Sequence, residues 1–166
     1  MTRGDETLRD ALDDVALAEL CFNKGLTQEA ARFHSEAFAR DRKRADDLKT
    51  SRRLDAAGRA AWAGCGRGKA GPTLDAAARA GLRARALGWL KADLALRSLE
   101  IAGGDSQARS ETRDKSTRWR REPDLALVRE AEDLARPPEA ERAARKALRA
   151  EVDDLIVLSK LGWSRH

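Results

Sequence analysis

A glycine-rich run at residues 66–71 matches the G-x-G-x-x-G pattern with which dinucleotide-binding proteins hold a pyrophosphate. That chemistry needs a strand before the glycines and a helix after them, so that backbone N–H groups point at the phosphates. Here an alanine-rich helical segment precedes the run, and Ala63 and Ala70 stand where a P-loop requires glycine and Ser or Thr. The run is therefore predicted to be a loop between helices, and no cofactor is expected.

The histidines and cysteines form no pattern that would ligate a metal or activate a nucleophile. His34 shares a helical face with Phe38, His166 is the last residue, and Cys21 and Cys65 lie far apart in the sequence. A structural zinc site needs about four such ligands close together, and a catalytic base needs a nucleophile within reach. We therefore expect a buried or half-buried His34, free thiols, no metal and no enzymatic activity.

Two basic segments, at residues 40–53 and 113–121, are the candidates for binding nucleic-acid phosphates. Phosphate binding requires several cations on one face, and an aromatic side chain would stack on single-stranded bases. Trp119 lies inside the second segment, but it is the only large apolar residue there, which favours a role in docking its helix. Nucleic-acid binding is therefore unlikely and is the alternative hypothesis. Its candidate residues are Arg113, Lys115, Arg118, Arg120 and Arg121.

Composition favours helix along nearly the whole chain. Alanine, leucine, arginine and glutamate dominate, tyrosine is absent and β-branched residues are scarce. The 33 lysines and arginines exceed the 28 aspartates and glutamates by five, with both signs interspersed, as on a solvated helical surface. No apolar run approaches the roughly 18 residues of a membrane span, and the N-terminus lacks an apolar signal region. We expect an all-α, cytoplasmic protein that does not enter a membrane.

Residues 17–41 have the pattern of two helices folded against each other through a tight turn. Gly25 suits the left-handed conformation that ends a helix, and Thr27 suits the N-cap of the next one. A similar but weaker pattern precedes Gly64. The residues at helical offsets on the packing faces are Leu17, Ala18, Cys21, Ala30, His34, Ala37 and Phe38 in the first pattern and Ala56, Ala57 and Ala60 in the second.

The rest of the chain is also predicted to be helical. The charged stretch that begins at Asp41 is expected to continue as a helix to Leu54, and Thr73 is expected to cap a long helix from residue 74 to about residue 101. A helix over 106–121, short helices within 123–136 and a last helix that starts near Pro138 complete the prediction. The buried face of that last helix is predicted to be Ala144, Leu148, Val152, Leu155 and Ile156.

The first hairpin pattern and its weaker repeat resemble the tetratricopeptide repeat (TPR), whose period is about 34 residues. More specifically, three segments resemble the C-terminal TPR region of large bacterial serine/threonine protein kinases: residues 13–41, residues 63–69 with 82–97, and residues 119–130 with 137–155. The catalytic signatures H-R-D and D-F-G are absent, so the resemblance implies an accessory region without its enzyme. The expected organisation is a single all-α domain over 1–166, with a TPR-like hairpin and the start of a second repeat over 8–64, additional helices over 72–160 and a tail over 161–166.

The TPR resemblance implies a protein or peptide partner, because the first helix of each repeat lines a concave side on which a segment can lie. Val15 and Glu19 do not supply the Lys and Asn with which some TPR domains grip acidic C-terminal peptides, so the identity of the partner stays open. Occupation of this groove by the chain's own later helices also stays open, as does the oligomeric state. The groove residues implied by the resemblance are Val15, Glu19, Asn23, Asp55, Arg59 and Trp62.

Overall fold

The predicted all-α class is confirmed, because the described part of the chain forms seven helices and no strand. The computed structural model describes residues 3–69, 73–103, 106–121 and 138–161, with side chains from residue 13 onward. The helices are α1 (Arg3–Asn23), α2 (Thr27–Arg40), α3 (Arg42–Ala45), α4 (Arg52–Gly64), α5 (Ala76–Ala102), α6 (Ser106–Arg121) and α7 (Glu139–Lys160). The short helices predicted within 123–136 and the predicted tail after Leu161 lie outside the described residues.

Most of the helices pack on their neighbours along the chain. The helices α1 and α2 form the predicted hairpin, α2 packs on α4, and α4 packs on α5. The helices α5, α6 and α7 then pack on one another. The connections from α1 to α2 and from α5 to α6 are three residues each, and helices joined by a few residues fold back onto each other.

The core follows α4 and α5 and ends against α7. The alanines of α4 are fully buried, which lets α2 and α5 approach its backbone closely. At Gly64 the approach is tight enough that a Cβ atom would lie 3.0 Å from the backbone oxygen of Arg79. The buried apolar residues of this core are Ala31, Leu54, Ala57, Ala60, Ala61, Ala63, Leu82, Ala86, Leu87, Leu90, Leu94, Trp119, Leu148, Val152, Leu155 and Ile156.

The last helix matches its prediction closely, whereas the start of α5 does not. Four residues predicted to form the buried face of α7 are buried, and Ala144 packs partly buried against them. Pro138 is the N-cap of α7, and Glu139 begins its first turn. The prediction that Thr73 caps α5 is wrong, because the Asp75 carboxylate accepts the hydrogen bond from the backbone N–H of Ala78 at 2.7 Å. A carboxylate at this position also interacts favourably with the positive end of the helix dipole.

The predicted continuous helix from Asp41 to Leu54 is wrong, because local polar contacts interrupt it. Asp41 caps the short α3 by accepting a hydrogen bond from the Arg44 N–H at 3.2 Å. Asp47 then accepts the Lys49 N–H at 3.1 Å, and Ser51 takes a left-handed conformation with φ of 54°. Side-chain bonds of this kind offer the backbone an alternative to the helical ladder.

The glycine-rich loop after α4 docks onto the turn between α1 and α2. Gly25 has the predicted left-handed conformation, with φ of 75°. Thr27 is not the predicted cap, because it lies inside α2 and its hydroxyl donates to the Arg67 carbonyl at 3.0 Å. The Lys69 N–H donates to the Gly25 carbonyl at 2.8 Å. The loop therefore connects the first hairpin to the end of α4.

We expect Gly68→Ala to lower the free energy of unfolding by about 1–2 kcal/mol, because the backbone there is left-handed. Gly68 has φ of +91°, and an added Cβ would lie 2.4 Å from the Thr27 hydroxyl and 2.9 Å from the Gly25 carbonyl. Urea denaturation followed by circular dichroism measures the change. Gly81→Ala is the matched control, since Gly81 is exposed on α5 and nothing lies within 4 Å of the new Cβ. Equal stability of Gly68→Ala and the wild type would contradict the docked loop.

An arginine of α5 links three helices at the far end of this core. Arg83 donates to both oxygens of Glu141 on α7, at 2.8 and 3.3 Å, and to the Gly64 carbonyl of α4 at 2.9 Å. Arg145 also bonds Glu141. Burial alone would raise the pKa of Glu141, but the hydrogen bonds and charges of Arg83 and Arg145 outweigh it and lower that pKa. Glu141 is therefore held ionised between two guanidinium groups.

Candidate functional site

Two of the predicted groove residues meet in an ion pair between α1 and α4. Arg59 of α4 donates to Glu19 of α1 at 2.6 Å, and the Arg59 side chain is 9% exposed while that of Glu19 is 50% exposed. The other terminal nitrogen of Arg59 contacts His34 Nε2 from α2. One guanidinium group thus joins three helices, with its carboxylate partner facing solvent.

The histidine behind this pair is the buried residue that its apolar spacing predicted. His34 is 1% exposed, and its ring lies 5.8 Å from that of Phe38. Burial first, and then the charges of Arg59 and Arg52, lower the pKa of His34 from 6.5 to about 3. The imidazole is therefore neutral at physiological pH, which leaves its Nε2 able to accept a hydrogen bond from Arg59.

An aromatic pair extends the same surface toward the end of α4. The ring of Phe22 on α1 meets that of Trp62 on α4 edge to face, with centroids 6.3 Å apart. The guanidinium carbon of Arg59 lies 4.9 Å from the Phe22 centroid, and that of Arg67 lies 5.7 Å from the Trp62 centroid. Both are cation–π distances. Trp62 is half-buried, so it offers an apolar edge beside the ion pair.

Asp55 of α4 is a carboxylate on which charges of the predicted basic patch of α6 act. Its pKa is raised, first by burial and also by the charge of Glu19, although the charges of Arg59, Arg118 and Lys115 act to lower it. Leu54, the residue before Asp55, lines a small internal cavity together with Lys115 of α6. The sequence predicted the groove and the basic patch as rival sites, whereas the charges of both act on Asp55 and the two helices α4 and α6 share this cavity. We call the following set of residues the α1–α4–α6 face: Glu19, Asp55, Arg59, Trp62, Lys115 and Arg118.

The other two predicted groove residues lie on α1. Val15 is half-buried and Asn23 is exposed. Both are one helical turn from Glu19 and so share its side of α1. Val15 and Asn23 therefore lie on α1 beside the α1–α4–α6 face.

The basic patch of α6 is dispersed around the helix. Arg113, Arg118 and Arg121 line a shallow surface groove of about 370 Å³ with Asp114 and Thr117. Arg113 contacts Ser110 at 3.2 Å and Asp114 at 3.9 Å. Arg120 pairs with Asp153 of α7 at 3.5 Å. The five candidate cations thus do not form one continuous row.

The predicted docking role of Trp119 is confirmed. Trp119 is 4% exposed and belongs to the core, and Thr112 and Ser116 on the same side of α6 are also buried. The buried indole is therefore unavailable for stacking on a nucleic-acid base. In the other basic segment, Arg40 pairs with Asp14 and Arg53 pairs with Asp46.

The other groups with possible chemistry are the two cysteines and the side chains that could ligate a metal. Cys21 and Cys65 are free thiols, as predicted, and burial raises the pKa of Cys65. In the described part of the chain, no cluster of three or more His, Cys, Asp or Glu side chains has the arrangement of a metal site. Over the same residues, no helix is both long enough and apolar enough to cross a bilayer.

Comparisons of the chain with known protein families, with curated proteins and with solved structures give no match. The function must therefore be argued from the α1–α4–α6 face and the helices that build it.

Proposed function

We propose that this chain is a non-catalytic protein-interaction module of the TPR type, with the α1–α4–α6 face as its binding surface. The observation that carries the proposal is the convergence of charged and aromatic side chains from three helices on one face. Glu19 of α1 pairs with Arg59 of α4 at 2.6 Å, and Leu54 of α4 and Lys115 of α6 line the same small cavity. In a helical array, the alternate helices line one side, and α1, α4 and α6 are alternate helices when the single turn α3 is left out.

The chemistry of the face favours binding over catalysis. Its histidine is neutral, buried and occupied by Arg59, so it lacks access to a substrate. Its carboxylates lie beside arginines, which suits them to charge-paired recognition of another polypeptide. Trp62 adds an apolar edge, and interfaces commonly use a half-buried aromatic residue as an anchor. The resemblance to the accessory region of bacterial kinases remains a prediction that is consistent with such a role.

Photo-crosslinking from the α1–α4–α6 face tests the proposal directly. A photoreactive phenylalanine derivative in place of Asn23, which is exposed beside the face, is expected to give a discrete protein adduct in a bacterial lysate. The same group in place of Ala95, exposed on α5, is the matched control and should not give that adduct. Equal labelling from both positions, or no protein adduct from position 23, would count against the proposal.

We expect Glu19→Lys to weaken capture of that partner by about tenfold, because it reverses the charge that faces solvent and repels Arg59. Glu36→Lys is the matched control, since Glu36 also pairs with an arginine at 2.6 Å but lies on α2 outside the face. Titration of the crosslinked partner against each variant measures the affinity, and circular dichroism checks that both remain folded. Equal weakening by the two variants would show that the face is not the binding surface.

A further inference from the structure

We propose that the outward stripe of α1 pairs with the same stripe of a second copy of this chain, with the two α1 helices antiparallel. The outward stripe is the set Asp13, Leu17, Leu20 and Lys24. It does not include any residue of the α1–α4–α6 face, so the pairing goes beyond the proposed function and does not rest on it.

The four residues of the outward stripe lie on one side of α1. Positions 13, 17, 20 and 24 are separated by four, three and four residues, which is the spacing of side chains that share one face of a helix. Lys24 follows the last residue of α1, and its backbone N–H still donates to the Leu20 carbonyl at 3.1 Å. The stripe is therefore continuous over three helical turns.

The outward stripe faces away from the rest of the fold. Asp14 and Ala18, on the opposite side of α1, are 7% and 0% exposed, whereas Leu17 and Leu20 are 40% and 49% exposed. Burial of the two leucines against an apolar surface would be favourable. Single exposed leucines are common on protein surfaces, so the charges beside these two decide which partner fits.

The charges at the ends of the stripe make it complementary to itself. Asp13 and Lys24 are exposed, and among the described residues neither side chain forms an ion pair. Each lies about 8 Å along the helix axis from the midpoint between Leu17 and Leu20. A two-fold axis at that midpoint would therefore place each Asp13 opposite Lys24 of the other copy, with four leucines between the two ion pairs.

This order of charges also selects the direction and the kind of partner. A parallel pair would bring Asp13 beside Asp13 and Lys24 beside Lys24, and like charges at an interface oppose association. A nucleic acid gains little from a stripe with one charge of each sign, because its binding depends on several cations. A second copy supplies the two leucines and the reversed order of charges together, so it fits the stripe best.

The pairing leaves the α1–α4–α6 face accessible. At about 100° per residue, Glu19 points roughly 130° around α1 from the middle of the outward stripe. The dimer would therefore carry two copies of that face on its outside. Two linked binding surfaces can hold a partner with two matching segments more tightly than either surface alone.

Sedimentation equilibrium of the full chain over a concentration series tests the pairing. One helix pair buries less than the roughly 1,600 Å² of a typical stable interface, so we expect a reversible dimer with a dissociation constant on the order of 100 μM. Leu20→Lys should raise that constant at least about tenfold, because it brings two like charges together at the centre. Leu158→Lys is the matched control, since Leu158 is 43% exposed on α7, and it should leave the constant unchanged.

The outcomes of this measurement separate the outward stripe from other surfaces. A wild type that stays monomeric at about ten times the expected dissociation constant would overturn the inference. A dimer that Leu20→Lys leaves intact would overturn it as well, because another surface would then hold the two copies together. Circular dichroism checks that the variants remain folded.

Charge reversal tests the antiparallel arrangement. Asp13→Lys and Lys24→Asp should each weaken self-association about tenfold, because each single variant has like charges at both ends of the helix pair. An equimolar mixture of the two variants should dimerise as well as the wild type, since each supplies the sign that the other lacks. Lys91→Asp, on an exposed position of α5, is the control and should change nothing. A mixture that associates as weakly as the single variants would overturn the inference.

Discussion

Replacing Arg97 by methionine is expected to lower the free energy of unfolding by about 3–5 kcal/mol, because it leaves a buried carboxylate without its partner. Arg97 and Asp93 lie one turn apart on α5, with side chains 3% and 7% exposed and a 2.7 Å bond between them. Arg97 also reaches the Leu48 carbonyl at 3.5 Å. Urea denaturation at neutral pH measures the loss.

The position of this pair relates it to the binding face. Asp93 and Arg97 line the small internal cavity that also touches Leu54 of α4 and Lys115 of α6. The pair therefore lies at the contact of α4, α5 and α6 around this cavity. Loss of Arg97 is expected to loosen that contact as well as to destabilise the fold.

A double variant separates the ion pair from general damage to the core. Asp93→Leu combined with Arg97→Met removes both charges and should recover most of the lost stability, as apolar replacements of buried ion pairs do. Lys91→Met is the surface control on the same helix, and its effect should stay within about 0.5 kcal/mol. A double variant as unstable as Arg97→Met alone would contradict this account.

The sequence predicted the helices well where apolar spacing was regular and less well where polar groups compete for the backbone. The buried face of α7 follows from Leu148, Val152 and Leu155 at helical offsets, so it could be foreseen. The break before α4 could not, because it depends on whether Asp47 bonds the chain beside it or faces solvent. Thr73 and Asp75 are both good caps, and only the folded chain decides between them.

The candidate site was predicted in its parts but not in its assembly. Glu19 and Trp62 were predicted from their offsets before Gly25 and Gly64, and Arg59 was predicted to lie beside such positions. The contacts of Arg59 with His34 and Glu19 join residues 25 and 40 positions apart, and one sequence offers no signal for choosing among so many arginines. The cavity that Leu54 and Lys115 share likewise depends on how α6 folds back. A polar residue at an apolar position, His34, was the one local sign of a buried partner.

Lowering the pH from 7 to 4 is expected to destabilise the protein by about 3 kcal/mol through His34 alone. The folded-state pKa of His34 is about 3, against 6.5 for the exposed side chain. Between these values the unfolded chain binds a proton that the folded chain does not bind. The contribution of His34 to the free energy of unfolding is therefore complete above pH 6.5 and falls as the pH decreases toward 3. Below pH 3 this group causes no further loss of stability.

His34→Gln isolates the contribution of this imidazole. Glutamine stays neutral over the whole range and keeps an oxygen that can accept from Arg59, so its variant should lack this part of the acid sensitivity. Glu141 also loses its stabilising charge as the pH falls below 4.5, but it does so in both proteins and cancels in the comparison. Free energies of unfolding in urea at pH 7 and pH 4, measured for both proteins, give the difference. An equal loss of stability in the wild type and in His34→Gln would mean that His34 is protonated in the folded state at pH 4. Because two cations repel each other in a buried site, the close contact of His34 with Arg59 would then be wrong.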